Sequence, residues 1–220
     1  MTTSTIHIDI VSDVVCPWCF VGKARLEKAL ALVPDVNVQV RWRPFFLNPW
    51  IPREGIDRKN YLETKFGSVE AYAGMAARVA AAAAEEGLIY NYDKVSRQPN
   101  TIDCHRLILW AGEDKAAAMK QAIMNAYFRD GRDLTDPETL VQLAAETGLD
   151  ADMIRARLNS DEDVAMIEAQ VRAANDAGVS GVPTFIFNDR FAMSGAQPSQ
   201  ALADAIRRIL VMPPPPPHEH

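Results

Sequence analysis

"SDVVCPWCFVGKARLE", residues 12–27, decides how the rest of the chain is read. It holds Cys16 and Cys19, two of the three cysteines among 220 residues; the third is Cys104. Upstream, Ile6, Ile8 and Ile10 alternate with Thr5, His7 and Asp9, the pattern of a strand. Downstream, GKARLEKALALVP is rich in strong helix formers and stops near Pro34. Pro17 suits the first helical position, where its missing N–H would have no partner in any case. Cys16 then stands at the N-cap and Cys19 one turn in, on the same face, so the two sulfurs can meet. Cys16 also lies against unpaired amides and the positive end of the helix, and both favour thiolate over thiol. A stabilised thiolate with a partner one turn away is what thiol–disulfide exchange requires. The first sulfur attacks or leaves, and the second resolves the mixed disulfide.

Other readings of the pair are weaker. A structural zinc site needs a second pair of ligands, and only Cys104, His7, His105, His218 and His220 remain. Of these only His218 and His220 are spaced as a pair, and they lie in the tail, so no metal is expected. Two plain buried hydrophobes are no better suited to a strand-to-helix turn behind a proline. Trp18 between the cysteines either meets partner proteins or shields the pair.

Moving outward, Val36, Val38, Val40 and Trp42 alternate with polar residues, a second strand. Strand, helix, strand over this distance predicts a βαβ unit with a parallel pair. A proline-rich connection follows, and then helix signals dominate as far as Ala177. Ala80 to Ala84 is an unbroken alanine run, with Gly87 placed to end it. Asp136-Pro137-Glu138 reads as N-cap, first helical proline and first-turn acid, with Gly148 as the stop. Ser160 with Asp163 resembles a capping box, opening a helix that ends at Gly178. Two short runs from Thr184 to Gly195 around a polar turn predict a hairpin, and a last helix runs from about Ser199 to Val211. The expected architecture is α/β, a βαβ and a ββα sharing one mixed sheet, with a large inserted all-helical domain. The boundaries are 1–54 and 178–212 for the sheet domain, 55–177 for the insertion and 213–220 for a loose tail rich in proline. Val182-Pro183 stands just before a strand. In the cis form it would make a tight turn that exposes the Val182 backbone to an extended substrate.

A net charge of −6 argues against nucleic acid and anionic membranes as main partners. The N-terminus lacks the basic and apolar regions of a signal peptide, and no stretch approaches the about 20 apolar residues that span a bilayer. The expected compartment is therefore cytoplasmic, where structural disulfides are rare and a close cysteine pair is more often catalytic.

Five segments in order carry a resemblance across nearly the whole chain: SDVVCPWCFVGKARLE, RWRPFFLNP, QPNTIDCHRLILWA, GRDLTDPETL and VSGVPTFIFNDRFAMSGAQP. They resemble the DsbA family of the thioredoxin superfamily, and more closely its cytoplasmic FrnE-like branch. The resemblance implies a thioredoxin-like fold with an inserted helical domain. It implies Cys16 as nucleophile, Cys19 as resolving cysteine and Pro183 as a cis-proline facing them, with Pro17, Trp18 and Val182 in contact with substrate. The sequence departs from that branch at Phe46, often a glutamate there, and at Cys104, often an alanine. The same fold family includes kappa-class glutathione transferases and 2-hydroxychromene-2-carboxylate isomerases, which usually carry serine at one or both motif positions. Two intact cysteines favour redox exchange on protein disulfides or small thiol and disulfide substrates, with no tightly bound cofactor and glutathione as a co-substrate. A third reading, a chaperone-like binding module using the apolar surface around Trp18, predicts that neither cysteine matters. Exposed apolar residues such as Trp18 also suggest a homodimer.

A second helix start deserves the same scrutiny. Asn100 reads as a helix cap with Asp103 reaching back, which puts Cys104 and His105 in the first turn. Ile102, His105 and Leu109 share one face. Either His105 is a half-buried, hydrogen-bonded histidine and Cys104 a filler, or this helix start lines a cleft above Cys16. In the second case Asn100, His105 and Arg106 are substrate contacts, the arginine suiting the carboxylates of glutathione, and Cys104 is a third redox thiol.

Overall fold

The computed structural model describes residues 5–212. The expected tail, with His218 and His220, lies outside the described residues. The chain begins with β1 (Ile6–Ser12), α1 (Pro17–Ala31) and β2 (Val38–Pro44). Next come β3 (Ile56–Asp57), α2 (Arg58–Phe66), α3 (Val69–Glu85) and β4 (Arg97–Gln98). Five helices follow: α4 (Ile102–Trp110), α5 (Gly112–Phe128), α6 (Pro137–Glu146), α7 (Ala151–Leu158) and α8 (Val164–Asp176). The chain closes with β5 (Thr184–Phe187), β6 (Phe191–Ser194) and α9 (Ser199–Val211).

The main sheet has the order β2-β1-β5-β6. β1 runs parallel to β2 and antiparallel to β5, and β5 pairs antiparallel with β6. This is the mixed α/β sheet that the strand patterns predict. The alternation in β1 sends Ile6, Ile8 and Ile10 into one apolar core with Leu26 of α1 and Leu202 and Ile206 of α9. Each such buried side chain contributes about 1.5–3 kcal/mol. The two halves of the sheet, far apart in sequence, are held by that shared core.

Between β2 and β5 the chain is helical apart from β3 and β4, two-residue strands paired antiparallel. So short a pair has no alternation for a sequence reading to detect. The expected boundaries near 54 and 178 fall in the connections on either side of this block. α6 is capped as read: the Asp136 side chain accepts from the Glu138 amide at 3.0 Å, and Pro137 opens the helix. The capping box at Ser160 does not form. α8 starts later, at Val164, and Asp163 sits in the left-handed region at φ 62° with no side-chain cap bond. Its carboxylate instead accepts from the Trp110 indole at 2.8 Å, while Ser160 Oγ accepts from the Glu162 amide at 3.2 Å. A stronger tertiary partner has taken the capping group.

A second core joins the start of α1 to the helical block. Cys16, Cys19 and Phe20 share it with Leu107 of α4 and Ile123 of α5, and Phe20 stacks on Phe128 with ring centroids 5.2 Å apart. The cysteine turn therefore sits at the junction of sheet and insertion. Among the described residues no helix is long and apolar enough to cross a membrane.

Candidate active site

Cys16 is the N-cap residue of α1, with φ −84° and ψ 115°, and Pro17 opens the helix. The amides of Cys19 and Phe20 reach the Cys16 carbonyl at 3.0 and 3.2 Å and close the first turn. Both sulfurs are free, and the residues are only 3% and 2% exposed. Burial by itself would push both thiols up. It does so for Cys19, whose pKa is raised first by burial and then by the neighbouring Cys16 sulfur. Cys16 goes the other way. The Cys19 S–H donates to its sulfur, and this outweighs the burial that raises it. The amides of Cys19 and Trp18 add to the lowering without forming a capping hydrogen bond. One sulfur is thus prepared as a thiolate while its neighbour keeps the proton.

Other groups trim this balance. Asp13, three residues before Cys16, opposes the thiolate by like charge. The Cys16 sulfur lies 3.5 Å from the Val182 carbonyl. As a thiol it donates there, and on ionisation that contact turns repulsive, leaving the Cys19 S–H as its main partner. The Val182-Pro183 peptide is cis. Pro183 also approaches α1 closely: a Cβ at Gly22 would come within 2.9 Å of the Pro183 Cγ. Only a residue without a side chain lets the loop lie this near the helix. Trp18 is half-buried and packs against two apolar clusters, one of them holding both cysteines. It shields the pair at least as much as it faces outward.

The second helix start is a scaffold. The Asn100 side chain donates to the Ile51 carbonyl at 2.7 Å and accepts from the Ile102 amide at 3.0 Å; the N-cap of α4 itself is Thr101, which makes no side-chain cap bond, so the expected cap at Asn100 is displaced by one residue. Asp103 does not reach back; it pairs with Arg53 and Arg106. Arg106 is 0% exposed. Its guanidinium donates to the carbonyls of Glu162, Arg157 and Ser160 and to the Asp103 carboxylate, all within 2.6–2.8 Å. A guanidinium held in this way ties α4 to the α7–α8 connection and has no fork left for a ligand carboxylate. Cys104 is also 0% exposed, and burial pushes its thiol far up, which fits a filler and not a third redox thiol. His105 is buried, with Nε2 3.2 Å from the Phe45 carbonyl and 3.4 Å from Asp13 Oδ1. It meets the cysteine turn through Asp13.

Three residues at the site escape a sequence reading: Asp13, Gly22 and Lys120. Lys120 of α5 is buried, and its charge acts on Cys19, lowering the thiol pKa against the stronger effect of burial. Its signal was its place in the stripe Lys120, Ile123, Met124 and Tyr127, whose other members are all buried. Among the described residues there is no cluster of three or more histidine, cysteine or acidic groups able to hold a metal.

The chain is 31% identical over 188 residues to the uncharacterized protein YwbO of Bacillus subtilis, covering 84% of this chain and 88% of that one. It is 35% identical to a probable DsbA oxidoreductase of Streptomyces coelicolor, with a TM-score of 0.86 over 96% of this chain and 92% of that one. The cytosolic disulfide reductase DsbM of Pseudomonas aeruginosa, solved with GSH, shares the fold at 22% identity and a TM-score of 0.62, covering 94% and 97% of the two chains. A family model described as a DSBA-like thioredoxin domain matches residues 7–207, nearly the whole chain, and this protein belongs to that family.

Proposed function

We propose that this protein is a cytoplasmic dithiol–disulfide oxidoreductase that acts through Cys16 and Cys19. The observation that carries the reading is the geometry at the start of α1: Cys16 is the N-cap, Cys19 lies one turn in, both sulfurs are free, and the Cys16 sulfur is 3.5 Å from the Val182 carbonyl. The Cys16 thiolate attacks one sulfur of a substrate disulfide. The S–S bond breaks, and the other sulfur leaves as a thiolate that takes up a proton. Cys19 then gives up its proton and attacks the Cys16 sulfur. The second substrate thiol is released, the substrate is reduced by two electrons, and the protein holds a Cys16–Cys19 disulfide. Run backwards, the same steps oxidise a dithiol, and a stop at the mixed disulfide allows isomerisation. Substrates are protein disulfides or mixed disulfides with glutathione, and glutathione serves as the thiol that returns the pair to its reduced form. Pro17, Trp18, Val182 and Pro183 would meet the substrate chain.

The test is a redox titration of the purified protein against glutathione, with alkylation and intact-mass readout. The expected result is a reversible loss of two thiols mapping to Cys16 and Cys19. Its midpoint, set against a cytosolic poise of about −220 to −320 mV, separates reductase from oxidant. Uptake of a single glutathione on Cys16, with no closure to Cys19, would overturn the dithiol reading in favour of glutathione-dependent transferase or isomerase chemistry.

A further inference from the structure

Apart from the cysteine turn, the molecule holds a cavity of about 350 Å³ between β2 and the helices α4, α5 and α8. That is near the lower end of small-ligand pockets, which run from about 300 to 1,000 Å³. Trp42, Ile108, Leu109, Ala116 and Ile167 supply apolar wall, and neither cysteine lines it. Most of its polar wall residues already have partners. Arg41 and Arg43 pair with Asp9, His105 meets Phe45 and Asp13, and Glu113 accepts from Gln39.

Gln170 and Lys120 are the exceptions, and of the two only Lys120 carries a charge. It lines the same cavity and is 1% exposed. Its ammonium makes no hydrogen bond and no ion pair among the described residues. It lies 5.2 Å from the ring centroid of Trp42, another wall residue. Asp13, Cys19 and Cys16 act on it through space, against the like charge of Lys23, yet burial still draws its pKa down to about 8. A buried cation without an acceptor is costly, and a carboxylate brought to it forms the stronger, charge-assisted class of hydrogen bond.

We propose that this cavity, which neither cysteine lines, is a second binding site for a small amphipathic monocarboxylate. The carboxylate seats on Lys120, and the apolar body lies against Trp42 and Ile108. The site stands on this geometry whether or not the cysteines exchange disulfides.

The experiment is isothermal titration calorimetry of the full chain with octanoate, and with octan-1-ol and octylamine as matched controls. Octanoate is expected to bind one to one, the alcohol at least about tenfold more weakly, and the amine not at all. A factor of ten corresponds to about 1.4 kcal/mol. Lys120→Met keeps the unbranched stem and removes the charge, and it should lose at least about tenfold for octanoate. Ala116→Phe fills the cavity while leaving the Lys120 charge in place and should also block octanoate. A Cys16→Ser, Cys19→Ser variant should still bind octanoate one to one, which distinguishes this site from the dithiol. No binding at millimolar octanoate, equal binding of octanoate and octan-1-ol, or unchanged affinity in Lys120→Met would each overturn the proposal.

Discussion

A buried cysteine stands at the start of both helices, Cys16 as the N-cap of α1 and Cys104 as the third residue of α4, and both belong to one apolar cluster. Their chemistry differs sharply. Cys16 is drawn toward thiolate, whereas Cys104 is pushed far toward thiol. The two residues are almost equally buried, so desolvation does not separate them. The surroundings of each helix start do. At α1 the second cysteine donates its proton to Cys16, and the first-turn amides of Trp18 and Cys19 favour negative charge on the same sulfur. At α4 the Asn100 side chain has taken the Ile102 amide, and the adjacent Asp103 carboxylate opposes any charge on Cys104. A helix start does not activate a buried thiol by itself. It does so when a second proton donor lies within reach.

The largest effect should follow from removing the prepared sulfur. Cys16→Ser is expected to reduce disulfide exchange to background, a loss of at least about a thousandfold, measured by turnover of a glutathionylated peptide. Cys19 does not replace it, because its raised pKa leaves little thiolate. Turnover within tenfold of the unaltered protein would break the comparison, since it would place the reactive sulfur elsewhere.

Cys19→Ala should have a smaller effect with an informative direction. The Cys19 hydrogen bond is the largest influence lowering Cys16. The sign follows directly. A lowered thiol is already ionised at a pH where an ordinary cysteine is protonated, and losing the donor moves its titration upward. The midpoint of the pH profile for alkylation of Cys16 by iodoacetamide should therefore rise. The variant should also accumulate a mixed disulfide on Cys16 under oxidised glutathione. An unmoved midpoint would assign the activation to the amides alone, and the α1–α4 difference would then rest on capping.

Much of α1 was legible because its signals are local. The alternation of β1, the proline after Cys16 and the helix formers that follow lie within one strand-turn-helix unit, and the structure keeps each in place. The hairpin of β5 and β6 was legible for the same reason. The surroundings of the site were less so, because they come from packing. Gly22 read only as part of a helix, yet the approach of Pro183 makes its missing Cβ matter. Lys120 sat in a plain helical run, and only the folding of α5 against α1 turns it toward Cys19. Arg106 carries the clearest lesson. An arginine suits a carboxylate ligand by its chemistry, but α4 buries it, and backbone carbonyls from the α7–α8 connection claim it first. Asp163 went astray in the same manner, its cap chemistry redirected to Trp110.

The smallest expected effect tests the other side of the comparison. Cys104→Ala deletes one sulfur from a site that is 0% exposed and leaves a small void among its neighbours. Large-to-small changes in a core lose both transfer energy and contacts, and for a single heavy atom this amounts to about 1 kcal/mol of stability. The alkylation midpoint of Cys16 should not move, and turnover per folded molecule should stay within about twofold of the unaltered protein. Chemical denaturation with the slope held constant reads the first quantity, and the peptide assay reads the second. If turnover fell instead, Cys104 would be exchanging electrons with the pair despite its raised pKa, and burial at α4 would no longer mark the inert cysteine.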